Sequence, residues 1–129
     1  RDLHSFPTRR SSDLMVSVTK ENTLLTAYNR MRGSDVSQLP VIDDGCLVGI
    51  LDEEDLLMNV YRNEGLFSET VSSVMVSKLE TLDVQSDEGK LYETLSNGKV
   101  AIMFDKETFV GFITKVDLIN RYKSAFALS

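Results

Sequence analysis

Short apolar runs and stretches of helical period alternate along this chain, and the alternation occurs twice. Val16 to Thr19 predicts a short strand. Beyond it Leu24, Ala27, Tyr28 and Met31 recur at three- and four-residue spacing, which predicts a helix with one buried face. Leu39-Pro40-Val41-Ile42-Asp43 and Leu47-Val48-Gly49-Ile50-Leu51 predict two strands. Asp44-Gly45 between them favours a hairpin turn, because both residues tolerate positive φ. Leu56, Leu57, Val60 and Tyr61 predict a closing helix buried on that stripe.

The second half repeats this order. Glu80 to Asp83 predicts a strand, and Leu91 and Leu95 mark a helix for which Ser86 is a suitable N-cap. Ala101-Ile102-Met103-Phe104-Asp105 and Phe109-Val110-Gly111-Phe112-Ile113 predict two strands across Lys106-Glu107-Thr108. A last helix from Val116 to about Ala125 is expected to bury Leu118, Ile119 and Tyr122. Asp43 and Asp105, Gly49 and Gly111, and Asp55 and Asp117 are each 62 positions apart, so the halves are copies of one unit. The joining segment Arg62 to Ser77 mixes Gly, Ser and Thr with Leu66, Phe67, Val71, Val74 and Met75, which predicts a packed connector with a helical turn. The expected divisions are a tail at 1–14, repeats at 15–63 and 78–129, and a connector at 64–77.

His4 to Leu14 resembles the conceptual translation of a sequencing adapter and is set aside as a non-native or disordered tail. On that reading the true start lies upstream, Met15 need not be a start, and the chain is a fragment of something longer. The whole chain carries 14 Lys and Arg against 20 Asp and Glu. Residues 1–14 hold three of those cations and two of the anions, which leaves 11 against 18, a net charge of −7. That balance argues against phosphate-backbone binding, which needs clustered cations. Trp is absent, which removes the commonest stacking platform for single-stranded nucleic acid. No apolar run approaches the roughly 18 residues of a membrane span, so neither nucleic acid nor membrane is an expected partner. Cys46 is the single cysteine, which fits a reducing, cytoplasmic setting and leaves no disulfide or thiolate metal cluster.

A β-α-β-β-α unit used twice, with Leu39-Pro40-Val41-Ile42-Asp43 and Val48-Gly49-Ile50 in its strands, resembles the CBS motif pair, also called a Bateman module. The resemblance covers residues 15–129 and implies an α/β fold of two tandem repeats with pseudo-two-fold symmetry. Val36-Ser37-Gln38-Leu39-Pro40-Val41, Lys78-Leu79-Glu80-Thr81-Leu82-Asp83 and Thr114-Lys115-Val116-Asp117-Leu118-Ile119-Asn120 are most similar to the C-terminal regulatory region of bacterial cystathionine β-synthase. That implies a pyridoxal-phosphate-dependent catalytic domain attached upstream, which would hold the only prosthetic group.

The resemblance also implies an adenosyl effector, S-adenosylmethionine or AMP/ATP, held between a strand-leading segment of one repeat and a Gly-h-h-Thr/Ser-x-x-Asp motif of the other. Carried over residue by residue, the intact motif is Gly111-Phe112-Ile113-Thr114-Lys115-Val116-Asp117, opposed to Val36, Ser37 and Gln38. An ionised Asp117 can accept from both ribose hydroxyls, and Thr114 can donate to a phosphate or carboxylate. Free N–H groups at that helix start favour an anion. Thr-x-x-Asp is also close to a capping box, and both roles are compatible because capping positions the same oxygens. Gln38 could equally be an exposed strand-edge residue. The second cleft, built on Asp55 and Val100, departs from the pattern, because Asp52 stands where Thr or Ser is wanted and its neighbours Glu53 and Glu54 add charge that repels an anion. One working site is expected.

The one histidine, His4, lies in the tail, so no Ser/His or Cys/His pair is expected in the module. Asp43-Asp44 and Glu53-Glu54 read as turn and helix-start residues, Cys46 as a structural thiol, and no metal-spaced cluster or phosphate loop is present. The module is therefore expected not to be an enzyme. The resemblance implies a homodimer through the helices. Two rival readings stay open: a CBS pair controlling another enzyme or a transporter, and a dimerisation element with an empty cleft.

Overall fold

A computed structural model describes Leu3, the backbone of Arg9–Arg10, residues 16–98 and residues 100–128, the side chain of Leu128 excepted. Its elements in chain order are β1 (Arg9–Arg10), α1 (Leu24–Ser34), β2 (Gln38–Asp43), β3 (Cys46–Asp52), α2 (Glu53–Arg62), two 3-10 turns at Glu64–Ser68 and Val71–Ser73, β4 (Thr81–Asp83), α3 (Glu88–Asn97), β5 (Val100–Asp105), β6 (Thr108–Thr114) and α4 (Lys115–Leu128). They form two compact units, residues 16–79 and residues 1–15 with 80–129. The fold is mixed α/β, with two sheets and four helices. No helix among the described residues is long and apolar enough to cross a membrane.

In the unit of residues 16–79, β2 and β3 pair antiparallel around Asp44-Gly45, both at positive φ (50° and 76°). Glycine adopts that conformation at no steric cost, and Asp tolerates it better than most residues. The predicted strand at Val16 to Thr19 is reduced to a single parallel bridge, Val18 to Val41. Thr23 caps α1 by accepting from the Thr26 amide. One face of α1 (Leu24, Ala27, Met31) packs with Leu39, Val41, Leu51, Leu56 and Val71. Val71 brings the connector into this core, with Leu66, Val74 and Met75 packed around it. Backbone bonds from Leu24 to Glu69 (2.9 Å) and from Val71 to Asn22 (2.7 Å) stitch the connector to the start of α1.

The other unit repeats the scheme on a sheet of order β1-β6-β5-β4. Leu82 pairs with Met103 as Val18 does with Val41. Leu91 and Leu95 of α3 pack with Leu82, Ala101, Met103, Ile113 and Leu118. The cap of α3 is Asp87, which accepts from the Lys90 amide at 2.9 Å, and not the expected Ser86. A carboxylate one residue nearer the helix reaches the first-turn N–H groups and favours the positive end of the dipole. Three positions of the expected tail belong to this unit. Leu3 is fully buried and donates to the Val84 carbonyl (2.7 Å), and Arg9 and Arg10 pair with Phe112 and Gly111. The rest of that stretch lies outside the described residues.

Both hairpins carry a β-bulge at equivalent positions. The register passes from Val41↔Gly49 to Ile42↔Leu47, and 62 residues on from Met103↔Gly111 to Phe104↔Phe109. Val48 and Val110 are the extra residues, each followed by a glycine. A bulge needs backbone freedom and re-aims the strand beyond it. Gly49 has a second reason: a Cβ there would stand 2.8 Å from Met75 Sδ and 3.1 Å from the Val76 carbonyl oxygen.

The expected burial of the closing helices is corrected at four positions. Leu56 and Leu118 are buried, but Leu57 (64%), Tyr61 (85%), Ile119 (62%) and Tyr122 (50%) are exposed. Each helix meets its sheet through a narrow stripe, so a second apolar stripe is left outside.

The surroundings of two glycines predict opposite effects of the same substitution. Gly49→Ala should destabilise by about 1–3 kcal/mol through overpacking against backbone. Gly33→Ala, in α1 with open space around it, should stabilise by about 0.5–1 kcal/mol through helix propensity. Urea unfolding of the two variants beside the parent chain measures both.

Candidate ligand site

The bulges set where each closing helix begins. An unbulged hairpin around Asp44-Gly45 would place Gln38 opposite Leu51, whereas the extra residue Val48 moves the partner to Asp52. Val110 likewise brings Val100 opposite Thr114. The last residue of the second strand thus lies beside the first residue of the strand before it, at the point where a helix starts.

In the second repeat this point is a closed polar box. Thr114 donates to Asp117 Oδ2 through its backbone N–H (2.8 Å) and its hydroxyl (3.0 Å). Its Oγ1 accepts from the Asp117 amide (3.2 Å). The reciprocal pattern is a capping box with Asp in the place of Glu. Among the described residues the bonds to the Asp117 carboxylate fall on Oδ2, which leaves Oδ1 to accept from another donor. The single hydroxyl proton of Thr114 is directed into the box. An acceptor oxygen of a ligand would have to displace that bond, whereas a donating hydroxyl can reach Oδ1 with the box intact.

In the first repeat Asp52 occupies the position of Thr114. It is buried, with 8% of its surface exposed, and caps α2: Oδ1 accepts from the Glu54 amide at 2.8 Å. Oδ2 accepts from Gln38 Nε2 at 3.1 Å. Glu53 N donates to the Ser37 carbonyl (2.8 Å), which ties the helix start to the strand-leading segment. With Asp52 at the cap, the first turn of α2 brings three more carboxylates, Glu53, Glu54 and Asp55, whereas α4 begins with Lys115 and has Asp117 as its only first-turn acid. Four clustered carboxylates disfavour a phosphate or carboxylate ligand.

The predicted site residues fall into three groups. Thr114 and Asp117 are hydrogen-bonded to each other, with Val100 opposite Thr114 in the register. Val36 is half-buried against the first core, Ser37 is exposed, and Gln38 is half-buried, with its amide given to Asp52. Asp55 is half-buried on the first turn of α2. The first and third groups belong to different compact units. Reading the residues without the bulge missed the Gln38–Asp52 bond. The signal was present in Val48-Gly49, since a glycine inside a strand run marks a bulge or a close backbone approach. Gly111 has a different reason: its φ of 145° lies in the region that favours glycine, at the position paired with Arg10. Asp83 was not singled out either. Its carboxylate accepts from the Gln85 amide (2.8 Å) and the Lys106 amide (3.2 Å), holding the β5–β6 turn.

The family model for the CBS domain matches residues 12–62, the first repeat. No curated protein sequence matches the chain. Among solved structures, a CBS-domain-containing protein from Agrobacterium tumefaciens is similar at 20% identity and a TM-score of 0.78, over 84% of this chain and 89% of that one. An uncharacterised conserved protein from Pyrococcus horikoshii is similar at 26% identity and 0.76, over 84% of each. The CBS-domain pair of protein MJ0100, solved with 5′-methylthioadenosine and S-adenosyl-L-methionine, is similar at 17% and 0.74, over 92% of this chain and 99% of that one. The fold of the chain is that of these CBS-domain pair structures.

The two caps differ in what they hold, which predicts different costs of removing them. Asp52→Ala should destabilise by about 1–3 kcal/mol, because it deletes a cap and leaves the Gln38 amide without its acceptor. Thr114→Ala should cost about 1 kcal/mol, and Thr114→Ser much less. Thermal and chemical unfolding of the three variants distinguishes them.

Proposed function

We propose that this chain is a regulatory pair of CBS domains that binds one adenosyl ligand and performs no chemistry on it. The observation that carries this reading is the Thr114–Asp117 box, which presents Asp117 Oδ1 as an acceptor at a helix start. A ribose, with two adjacent hydroxyl donors, is the ligand group such a carboxylate takes. The complex of the similar MJ0100 pair with two adenosine derivatives supports an adenosyl compound, S-adenosylmethionine or AMP/ATP. Val36, Ser37 and Gln38 would supply the adenine-facing side, with Gln38 drawn from Asp52 toward the ligand. Asp55 and Val100 would form the weaker second position, which Asp52 keeps closed to an anion.

A bound effector shifts an attached protein only by its differential affinity for that protein's states. The segments Val36 to Val41, Lys78 to Asp83 and Thr114 to Asn120 support a cystathionine β-synthase-like enzyme as that partner. Reading the gene upstream of residue 15 tests this: a pyridoxal-phosphate lysine domain agrees with it, and membrane spans or a different catalytic domain overturn it.

Calorimetric titration with S-adenosylmethionine, AMP and ATP tests the ligand. At least one should bind tighter than millimolar, about 4 kcal/mol, with one site per chain. Asp117→Ala should weaken it by about tenfold or more, the range of a charge-assisted bond pair. Asp52→Thr should add a second binding event. Failure of all three ligands to bind tighter than millimolar overturns the reading.

Leu57, Met58 and Tyr61 on α2, and Val116, Ile119 and Tyr122 on α4, are exposed apolar stripes at helical spacing. Their exposure supports a homodimer through these helices, since exposed apolar stripes of this kind mark interaction surfaces. Sedimentation should find a dimer, and Tyr61→Asp with Ile119→Asp should make it monomeric with its helix content kept.

A further inference from the structure

The two exposed helix stripes differ in the charges set beside them. Helix α2 carries Glu53, Glu54 and Asp55 against Arg62, a net of −2, and α4 carries Lys115, Arg121 and Lys123 against Asp117, a net of +2. Glu54 precedes Leu57, Met58 and Tyr61 by three, four and seven residues, so it lies on their face of α2, one turn nearer the helix start. Glu53 and Arg62 flank that face, each about a quarter turn to one side. On α4, Lys115 precedes Ile119 and Tyr122 by four and seven residues, and Lys123 follows Ile119 and Val116 by the same spacings. Both lysines therefore border the α4 stripe. Asp117 and Arg121 share the opposite face, where they meet Thr114 and Glu88 (3.0 and 3.5 Å).

We infer that the α2 stripe of one copy docks on the α4 stripe of a second copy, and not on its own like. The inference rests on the homodimer reading above and adds which helix meets which. Two α2 stripes would set Glu54 against Glu54, and two α4 stripes would set Lys115 and Lys123 against their own kind. The unlike pairing sets acid against base. Charges at the rim of an apolar contact add little affinity but fix orientation, because like charges exclude the wrong arrangement. The apolar side chains supply the affinity in either arrangement, so the stripes by themselves do not choose between them. The exchange is reciprocal, which lets two copies close into a dimer. Helix α4 begins at the Thr114–Asp117 box and α2 at the Asp52 cap. Unlike pairing joins the box helix of each copy to the Asp52-capped helix of its partner, so a ligand that moves α4 acts on the partner's first repeat.

The test is the dimer dissociation constant of the full chain, measured by sedimentation equilibrium without ligand at about 0.05 M salt, where screening is weak. Glu53→Lys with Glu54→Lys should weaken the dimer by about fivefold or more, and so should Lys115→Glu with Lys123→Glu. All four substitutions in one chain should return it to within about twofold of the parent, because acid and base have only changed sides. A dimer of like helices would keep like charges together in every variant, so neither reversal would weaken it. A parent dimer that neither reversal weakens overturns the pairing and leaves the dimer reading standing. So does a four-substitution chain no tighter than the two-substitution chains. A parent chain that stays monomeric overturns both. A second measurement leaves the charges in place, with the exposed Cys46 removed. Cys46→Ser chains carrying Tyr61→Cys and Ile119→Cys, mixed, should be joined to each other by a short bismaleimide faster than either is joined to itself. The reverse order overturns the pairing.

Discussion

Two extra residues, Val48 and Val110, govern the geometry on which the rest of each unit depends. Each leaves one strand position unpaired and moves every later partner by one residue. The strand end then lies beside the start of the preceding strand, Asp52 beside Gln38 and Thr114 beside Val100, where the closing helix begins. A one-residue slip reverses which side chains face the core. The bulge lets the turn and the strand end each keep a register that suits it. Gly49, after the first bulge, leaves room for Val76 against β3, and Gly111, after the second, stands where Arg9–Arg10 pair with β6.

On this shared frame the two helix starts carry different chemistry. Asp52 gives its oxygens to the Glu54 amide and the Gln38 side chain, so its charge serves the fold. Among the described residues Asp117 is bonded through one carboxylate oxygen, by the threonine that caps the same helix. A carboxylate with one oxygen anchored is held in orientation while the other can still accept. The three further acids of the α2 first turn sharpen the contrast. The asymmetry between the repeats begins at Asp52 against Thr114 and is widened by Glu53 and Glu54 against Lys115 and Val116.

Much of the architecture was legible in residue patterns. The 62-residue offset, the Asp44-Gly45 turn and the apolar spacing of Leu24, Ala27 and Met31 each rest on local physics, and the fold has the elements they call for. Burial on the closing helices was read too broadly, because periodicity shows that a stripe is apolar and not which neighbour covers it. Leu56 and Leu57 look alike in sequence, yet one is buried and the other exposed. The cap of α3 moved from Ser86 to Asp87, since both residues suit the role and only the helix start discriminates them.

The sequence by itself determined the repeat, the order of elements, the residue types at the candidate site and the substitution of Asp52 for a hydroxyl residue. These follow from propensity and from identity at a fixed spacing. Only the tertiary structure decided that Gln38 faces Asp52, that the connector packs on the first repeat and that Leu3 and Arg9–Arg10 join the second. Those outcomes depend on a bulge register and on pairing between segments far apart in the chain. Main-chain pairing is nearly indifferent to side-chain identity, so it leaves little trace in the sequence.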